Sequence, residues 1–284
     1  MASLISVGQV VDQTVHHYQK YFKQLLSISL YVFAGTPFFI LGTVIYSADN
    51  LPRLIISAIC TLFGTITSAI ASIWIFNALI FTVDTELQTK KTNVSTISKL
   101  AWKKFLPSAA LSIIIALTLI IITTLCLLPG TAIFLISTAM QSNSLLPFLA
   151  GVIFLLFGTV IAACIVAWIG ITTIFAPYAL MLENTKIFES LHRARALVRG
   201  RWWAILLRII IPNLCVAIIL FLAPTIIHFF LSLLATGSPS LIMPLFIIND
   251  IANVALTALT VPFLVIADYY VFQSLVDTCK PNAA

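Results

Sequence analysis

Six long apolar runs dominate the sequence and constrain what the chain can fold into. They cover residues 25–46, 54–83, 106–140, 146–182, 204–235 and 241–276. A helix needs about 20 mostly apolar residues to cross the roughly 30 Å hydrocarbon layer of a bilayer. Each run reaches that length, and none reaches the more than about 40 residues that two spans and a turn would need. The runs therefore predict six membrane-spanning helices.

The composition indicates where the apolar surface must go. Hydrophobic residues make up 61% of the 284 residues and charged residues only 8%, whereas an ordinary soluble domain is about a quarter charged. The surplus apolar surface must face lipid, because a soluble protein needs charged residues to cover its outside. No polar stretch is long enough to fold separately. We therefore predict an all-α, polytopic membrane helix bundle, with 1–284 as a single integral membrane domain.

The basic residues predict the orientation of the spans. Short loops rich in Lys and Arg stay in the cytoplasm. Arg53 alone falls on one side of the predicted spans, and the others fall on the opposite side: Lys20, Lys23, Lys90, Lys91, Lys99, Lys103, Lys104, Lys186, Arg193, Arg195, Arg199, Arg201, Arg208 and Lys280. Both termini are therefore predicted to be cytoplasmic, and the short turns around Asp49, Ser142 and Gly237 are predicted to be outside.

Three segments on the predicted cytoplasmic side have the periodicity of amphipathic helices. Their apolar stripes are Val7, Val11, Val15, Tyr18 and Phe22; Val94, Ile97, Ala101 and Phe105; and Ile187, Leu191, Ala194, Val198 and Trp202. Each segment leads through aromatic residues into a pair of spans. The spacing of about 90 residues predicts three repeats, at roughly 6–83, 93–182 and 185–276, each an interfacial helix followed by a transmembrane hairpin. The regularity of any six-span protein is the alternative explanation.

The sequence contains no motif for catalysis or for a metal. The cysteines stand singly, and adjacent His16 and His17 would point about 100° apart on a helix, whereas two metal ligands on one face need a spacing of three or four. Phosphate-binding loops, nucleophile elbows and zinc-protease helices are absent from the sequence. We predict no enzymatic activity, no cofactor, no metal and no nucleic-acid partner.

Two sets of residues are candidates for a functional site. The first is an intramembrane polar site around Asp250 with Asn253, Asn213 and His228, because a carboxylate in hydrocarbon usually faces a cavity or a partner. A position of Asp250 at the outer interface is the alternative. The second set consists of basic residues predicted to contact anionic lipid head groups: Lys103, Lys104, Arg193, Arg195, Arg199 and Arg201.

Several short motifs resemble one family of membrane proteins. They are Leu127-Leu128-Pro129-Gly130, Ala176-Pro177-Tyr178, Glu189-Ser190-Leu191, Arg199-Gly200-Arg201-Trp202-Trp203 and the ending Ala267-Asp268-Tyr269-Tyr270. The chain is similar in them to the membrane domain attached to some bacterial glycerophosphoryl diester phosphodiesterases, and to stand-alone six-span bacterial proteins of uncharacterised function. In the fused proteins a separate soluble domain performs the chemistry. The resemblance implies the membrane part alone, with no catalytic residue, and the expected location is the inner (cell) membrane.

Two functions remain open from the sequence. The first is a non-enzymatic module that organises the membrane or envelope through the lipid bilayer, anionic head groups or a membrane protein partner. The second is a transporter or channel for a lipid-like or small amphiphilic solute. Internal repeats and helices interrupted by proline support the second function. A polar cavity reaching the middle of the membrane would favour transport, and a closed apolar interior would favour the module.

Overall fold

The computed structural model describes residues 4–46, 50–88, 94–139, 145–236 and 242–279. Within those ranges the chain is helical throughout, apart from short connections. The helices are α1 (Val7–Ser29), α2 (Thr36–Ile45), α3 (Leu51–Leu87), α4 (Val94–Lys103), α5 (Phe105–Ala139), α6 (Leu145–Thr173), α7 (Ala176–Leu182), α8 (Ile187–Val198), α9 (Trp202–Thr236) and α10 (Ile242–Cys279). A 3-10 segment, Leu30–Gly35, joins α1 to α2.

Six helical segments in the described ranges are long and apolar enough to cross a membrane, which confirms the predicted all-α, multi-pass architecture. They are Val7–Ile45, Leu51–Leu87, Phe105–Ser137, Phe148–Leu182, Trp202–Leu233 and Met243–Cys279. The turns predicted around Asp49, Ser142 and Gly237 lie outside the described residues, as do Lys90, Lys91 and Lys280. Orientation and the three-fold repeat therefore stay predictions.

Prolines interrupt some of these segments and are accommodated in others. Pro37 follows the 3-10 segment at the start of α2, and Pro177 begins α7 after α6 has ended at Thr173. Pro129, Pro212, Pro224 and Pro262 instead lie inside continuous helices. Proline removes one helical hydrogen bond, so it is best tolerated in the first turn. The predicted fourth span, 146–182, accordingly consists of two helices.

Contacts between residues divide the chain into two compact units. Unit 1 comprises Met1–Leu106 with Trp203–Ala284, and unit 2 comprises Pro107–Trp202. The core of unit 1 is formed where α1, α3 and α10 meet, and its fully buried side chains include Leu25, Leu79, Ile80, Ile266 and Leu275. In unit 2, Phe175, Tyr178, Leu180 and Leu197 are buried on and around α7 and α8.

The first helix begins as predicted but buries a different face. Ser6 and Gln9 form a capping box, in which each side chain accepts a hydrogen bond from the other residue's backbone N–H. The buried positions, however, are Val10, Thr14, His17, Leu25, Ile28 and Ser29. Val15 and Phe22, from the predicted apolar stripe, are exposed. A non-helical residue, Tyr21, marks a kink within α1.

Small residues allow close helix packing in both units. In unit 1, a Cβ on Gly35 would lie 2.0 Å from Oγ of Ser68 in α3. In unit 2, a Cβ on Gly158 would lie 2.4 Å from the carbonyl oxygen of Cys126, and one on Gly130 would lie 2.6 Å from the backbone nitrogen of Leu155. The backbones of α5 and α6 therefore approach each other at glycine, as is usual between membrane helices.

Candidate functional site

The helix α8 is fixed in position by its ends and by its buried face. At its start, the Glu189 carboxylate accepts a hydrogen bond from the backbone N–H of Lys186 at 3.3 Å. At its end, Gly200 has a φ of +78°, a left-handed conformation that suits glycine and stops a helix. Ser190, Ala194, Leu197 and Val198 are buried, and this orientation leaves another face of the helix exposed.

The exposed face of α8 is basic. His192 and Arg195 are exposed, and so is Arg199 immediately after the helix. Neither arginine forms an ion pair within the ranges that the structure describes. Both cations lie near the carboxyl end of α8, where the helix dipole favours positive charge. The two guanidinium groups are therefore available to an external anion.

Arg193 behaves differently, although it was predicted to contact lipid together with its neighbours. Its Nε lies 2.9 Å from Oε2 of Glu183, and Nη2 lies 3.2 Å from Oε1 of the same carboxylate. This two-pronged geometry is the strong form of an arginine–carboxylate pair. The interaction links the end of α7 to α8, and it compensates the charge of Arg193.

The exposed basic face borders a groove within unit 2. The groove has a volume of about 710 Å³ and is lined by Trp168, Thr172, His192, Arg195, Ala196, Val198, Arg199, Gly200 and Trp202. The Arg195 guanidinium carbon lies 5.7 Å from the centre of the Trp168 ring, within the range of a cation–π interaction. Trp168 itself belongs to the apolar segment Phe148–Leu182. The groove thus combines positive charge with aromatic surface.

A second, apolar cavity adjoins the groove. This slot has a volume of about 250 Å³ and shares Trp168, Thr172, His192 and Arg195 with the groove. Its remaining lining comes from α5, α6 and α8: Ile114, Ile115, Thr118, Ile169, Thr173 and Leu191. We call the two cavities the basic groove and the apolar slot. The two cavities share four lining residues, and the basic groove adds Arg199 to them, whereas the apolar slot adds isoleucine, leucine and threonine side chains.

Unit 1 contains a buried polar cluster of a different kind. Nε2 of His17 lies 2.9 Å from Oε2 of Glu86, and the two side chains are only 4% and 7% exposed. The hydroxyl of Tyr270 lies 3.4 Å from Nδ1 of His17, and the ring of Tyr21 is 4.8 Å from the imidazole. These contacts are consistent with a histidine that donates through Nε2 and accepts through Nδ1. The cluster joins α1, α3 and α10.

A parallel hydrogen bond strengthens the same junction. The Tyr269 hydroxyl donates to Oδ1 of Asp84 at 2.7 Å, and Gln88 donates to Oδ2 of the same carboxylate at 2.9 Å. Oε1 of Glu86 is buried and has no hydrogen-bond partner among the described residues. A polar pocket of about 300 Å³ borders Tyr270 and is also lined by Gln273, Ser274 and Asp277. The two carboxylates of α3 thus bind different helices: Asp84 accepts from Tyr269 of α10, and Glu86 pairs with His17 of α1.

The predicted site around Asp250 does not form in the described structure. Asp250 and His228 are exposed, and the Asn213 amide donates to the carbonyl of Ile209 in its own helix at 2.8 Å. Asn253 is half-buried, and its backbone carbonyl accepts from Thr257. No hydrogen bond joins any two of the four side chains in the part of the chain described. The structure places Asp250 at an exposed position of α10, and a functional role for it stays a prediction.

The other predicted lipid contacts are spread over both units. Lys103 and Lys104 belong to unit 1, the first exposed and the second half-buried. Arg201 lies in sequence between the groove residues Gly200 and Trp202 and is half-buried. Arg195 and Arg199 are the predicted contacts that line the groove.

Sequence reasoning did not identify the His17 cluster as a site. The sequence presented His16 and His17 only as possible metal ligands, and neither Asp84 nor Glu86 was among the predicted site residues. The available signal was that polar side chains occur near the ends of three different spans. Their partners are separated by 69 to 253 residues, and no local pattern predicts which of them pair.

The basic groove with its adjoining slot is the best candidate site for ligand binding, and the His17 cluster is a buried junction between helices. In comparison with known proteins, the chain matches no family model, no curated protein and no solved structure.

Proposed function

We propose that the protein is a non-catalytic integral membrane module that binds anionic lipid head groups through the basic groove on its cytoplasmic side. The single observation that carries this proposal is the pair of guanidinium groups, on Arg195 and Arg199, that lack an internal counterion among the described residues. Arginine beside an apolar span is costly unless an anion or water reaches it. An anionic head group supplies that counterion.

The aromatic residues support the same proposal. Tryptophan is favoured at the membrane–water interface, where one part of the ring contacts hydrocarbon and another part remains near water. Trp168 and Trp202 line the groove beside the arginines. The resemblance to the membrane domain of phosphodiesterases agrees with a module that contains no chemistry of its own, and it too is a proposal.

The experiment compares two double variants of the full chain in detergent, and each of them lacks two positive charges. Arg195→Gln with Arg199→Gln removes the groove charges, and Lys23→Gln with Lys99→Gln removes two exposed charges elsewhere. Each cation contributes about 1 kcal/mol near an anionic surface, so the groove variant should bind phosphatidylglycerol about 30-fold more weakly. Native mass spectrometry measures the affinity. Equal losses in both variants would contradict a specific groove and indicate general surface attraction.

Transport of a lipid-like or small amphiphilic solute is the second candidate function. The His17–Glu86 pair favours it, because it buries two ionisable groups between helices near the ends of their spans, and enclosed ionisable groups in membrane proteins often mark a pathway. Reconstituted vesicles carrying a fluorescent lysolipid test this function. Transport predicts flux above that of protein-free vesicles and a loss of that flux in Glu86→Gln. Flux no greater than in protein-free vesicles would argue against it.

A further inference from the structure

We infer that the site in unit 2 binds one individual phosphate-bearing lipid, with its head group in the basic groove and an acyl chain in the apolar slot. This inference rests on the proposed binding of anionic lipid, and it adds the class of ligand and the way it is held. A generic basic surface attracts many lipids without retaining any one of them. A site that holds both the head group and an acyl chain favours an intact lipid over either part alone.

The head group is assigned by charge. Arg195 and Arg199 offer planar guanidinium groups, which bind phosphate oxygens with paired N–H donors. Glu183 and Glu189 are the acidic residues near α8. Glu183 is bound to Arg193, and Glu189 caps the opposite end of the helix. No carboxylate lines the groove among the described residues. A phosphate there meets positive charge without a competing anion.

The acyl chain is assigned by the residues that the two cavities share and by the lining of the slot. Trp168 and Arg195 line both cavities, so a head group held by Arg195 lies against side chains that also line the slot. Beyond them the slot is lined mainly by isoleucine and threonine side chains from α5 and α6. The hydroxyls of Thr118, Thr172 and Thr173 donate to carbonyls of their own helices. They therefore present little unsatisfied polarity to a hydrocarbon chain.

Free phosphate offers the same head-group chemistry, and the slot distinguishes the two sources. Inorganic phosphate or glycerol phosphate would occupy the groove alone and leave the slot without a ligand. A lipid fills both cavities. Blocking the slot should therefore weaken lipid binding without removing the groove charges.

The test uses the full chain in detergent and a phosphatidylglycerol with a photoreactive group in the middle of one acyl chain. After irradiation, mass spectrometry should locate the label on the slot residues of α5 and α6. Phosphatidylglycerol should compete, and phosphatidylcholine with the same chains should compete poorly. Thr118→Phe should lower the labelling about tenfold, since the ring would occupy part of the space that the acyl chain needs. Leu117→Phe, on the same helix but outside the slot lining, should leave it unchanged.

Three outcomes would overturn the inference. Label distributed over all the spans without saturation would mean that no acyl chain is held at one place. The proposed head-group binding is tested separately, by the variant that combines Arg195→Gln with Arg199→Gln. Equal labelling in Thr118→Phe and Leu117→Phe would show that the acyl chain does not occupy the slot. Competition by glycerol phosphate as effective as that by phosphatidylglycerol would assign the groove to a soluble phosphate instead.

Discussion

Arg193 and Arg195 illustrate how two residues of the same type, two positions apart, acquire different roles. Arg193 pairs with Glu183, whereas Arg195 lies over Trp168 and faces the groove. A helix turns by about 100° per residue, so positions two apart point to nearly opposite sides. The sequence predicted both as lipid contacts because charge and spacing do not reveal which side carries Glu183.

The buried His17–Glu86 pair leads to a prediction about stability. His17→Ala should lower the free energy of unfolding by about 3 to 5 kcal/mol, because it leaves the Glu86 carboxylate buried without its partner. The double variant with Glu86→Leu should recover part of that loss, because no unpaired charge remains. Unfolding by increasing denaturant in mixed micelles measures the difference.

The neighbouring residue provides the control. His16 is exposed, so His16→Ala should change the free energy of unfolding by less than about 0.5 kcal/mol. Equal effects of the two alanine variants would contradict a specific role for the His17 pair.

At the scale of helices, glycine determines how closely α5 and α6 approach. Helix propensity alone should raise the free energy of unfolding by about 1 kcal/mol in either Gly158→Ala or Gly170→Ala. The new Cβ at position 158 would lie 2.4 Å from a backbone carbonyl oxygen, whereas the one at position 170 would have nothing within 4 Å. We expect Gly158→Ala to be less stable than Gly170→Ala by about 1 to 3 kcal/mol, the usual cost of overpacking.

Thermal unfolding of the purified variants in one detergent measures this difference. Equal gains in the two variants would mean that the α5–α6 contact does not depend on close backbone approach.

Some features of the helices follow from local sequence patterns, and others do not. The capping box of α1, the stop at Gly200 and the burial of Ile97 and Ala101 in α4 were all predictable from local patterns. The buried face of α1 was not. In a soluble helix the apolar stripe faces inward, but lipid does not penalise an apolar face. Thr14 and His17 are buried because one bonds a local carbonyl and the other bonds Glu86.

At the scale of the whole molecule, the number of spans followed from length and apolar composition, because backbone hydrogen bonding in lipid leaves helices as the simplest solution. The position of the candidate site did not follow. Asp250 attracted attention as an isolated carboxylate in an apolar run, yet it is exposed. The site depends on which side chains are left without internal counterions, and that depends on tertiary contacts.

The predicted orientation of the molecule is testable at its carboxyl end. Cys279 is exposed and free, and the basic segments predict that it is cytoplasmic. In a variant whose other four cysteines are replaced by alanine, a membrane-impermeant maleimide should label Cys279 only after the cytoplasmic side has been opened. Labelling of intact cells would reverse the predicted topology.

The contacts of α1 also have a consequence for the order of synthesis. Groups at Ile5, His17 and Tyr18 have their hydrogen-bond partners on Glu86, Leu259, Tyr270 and Ser274. All of these partners except Glu86 lie more than 240 residues later in the chain. While the ribosome is still producing the intermediate helices, the amino-terminal helix has inserted without most of its final partners. Its polar face must then be met by lipid head groups, water or the insertion machinery. The polar contacts of α1 are thus completed only after α10 has been made.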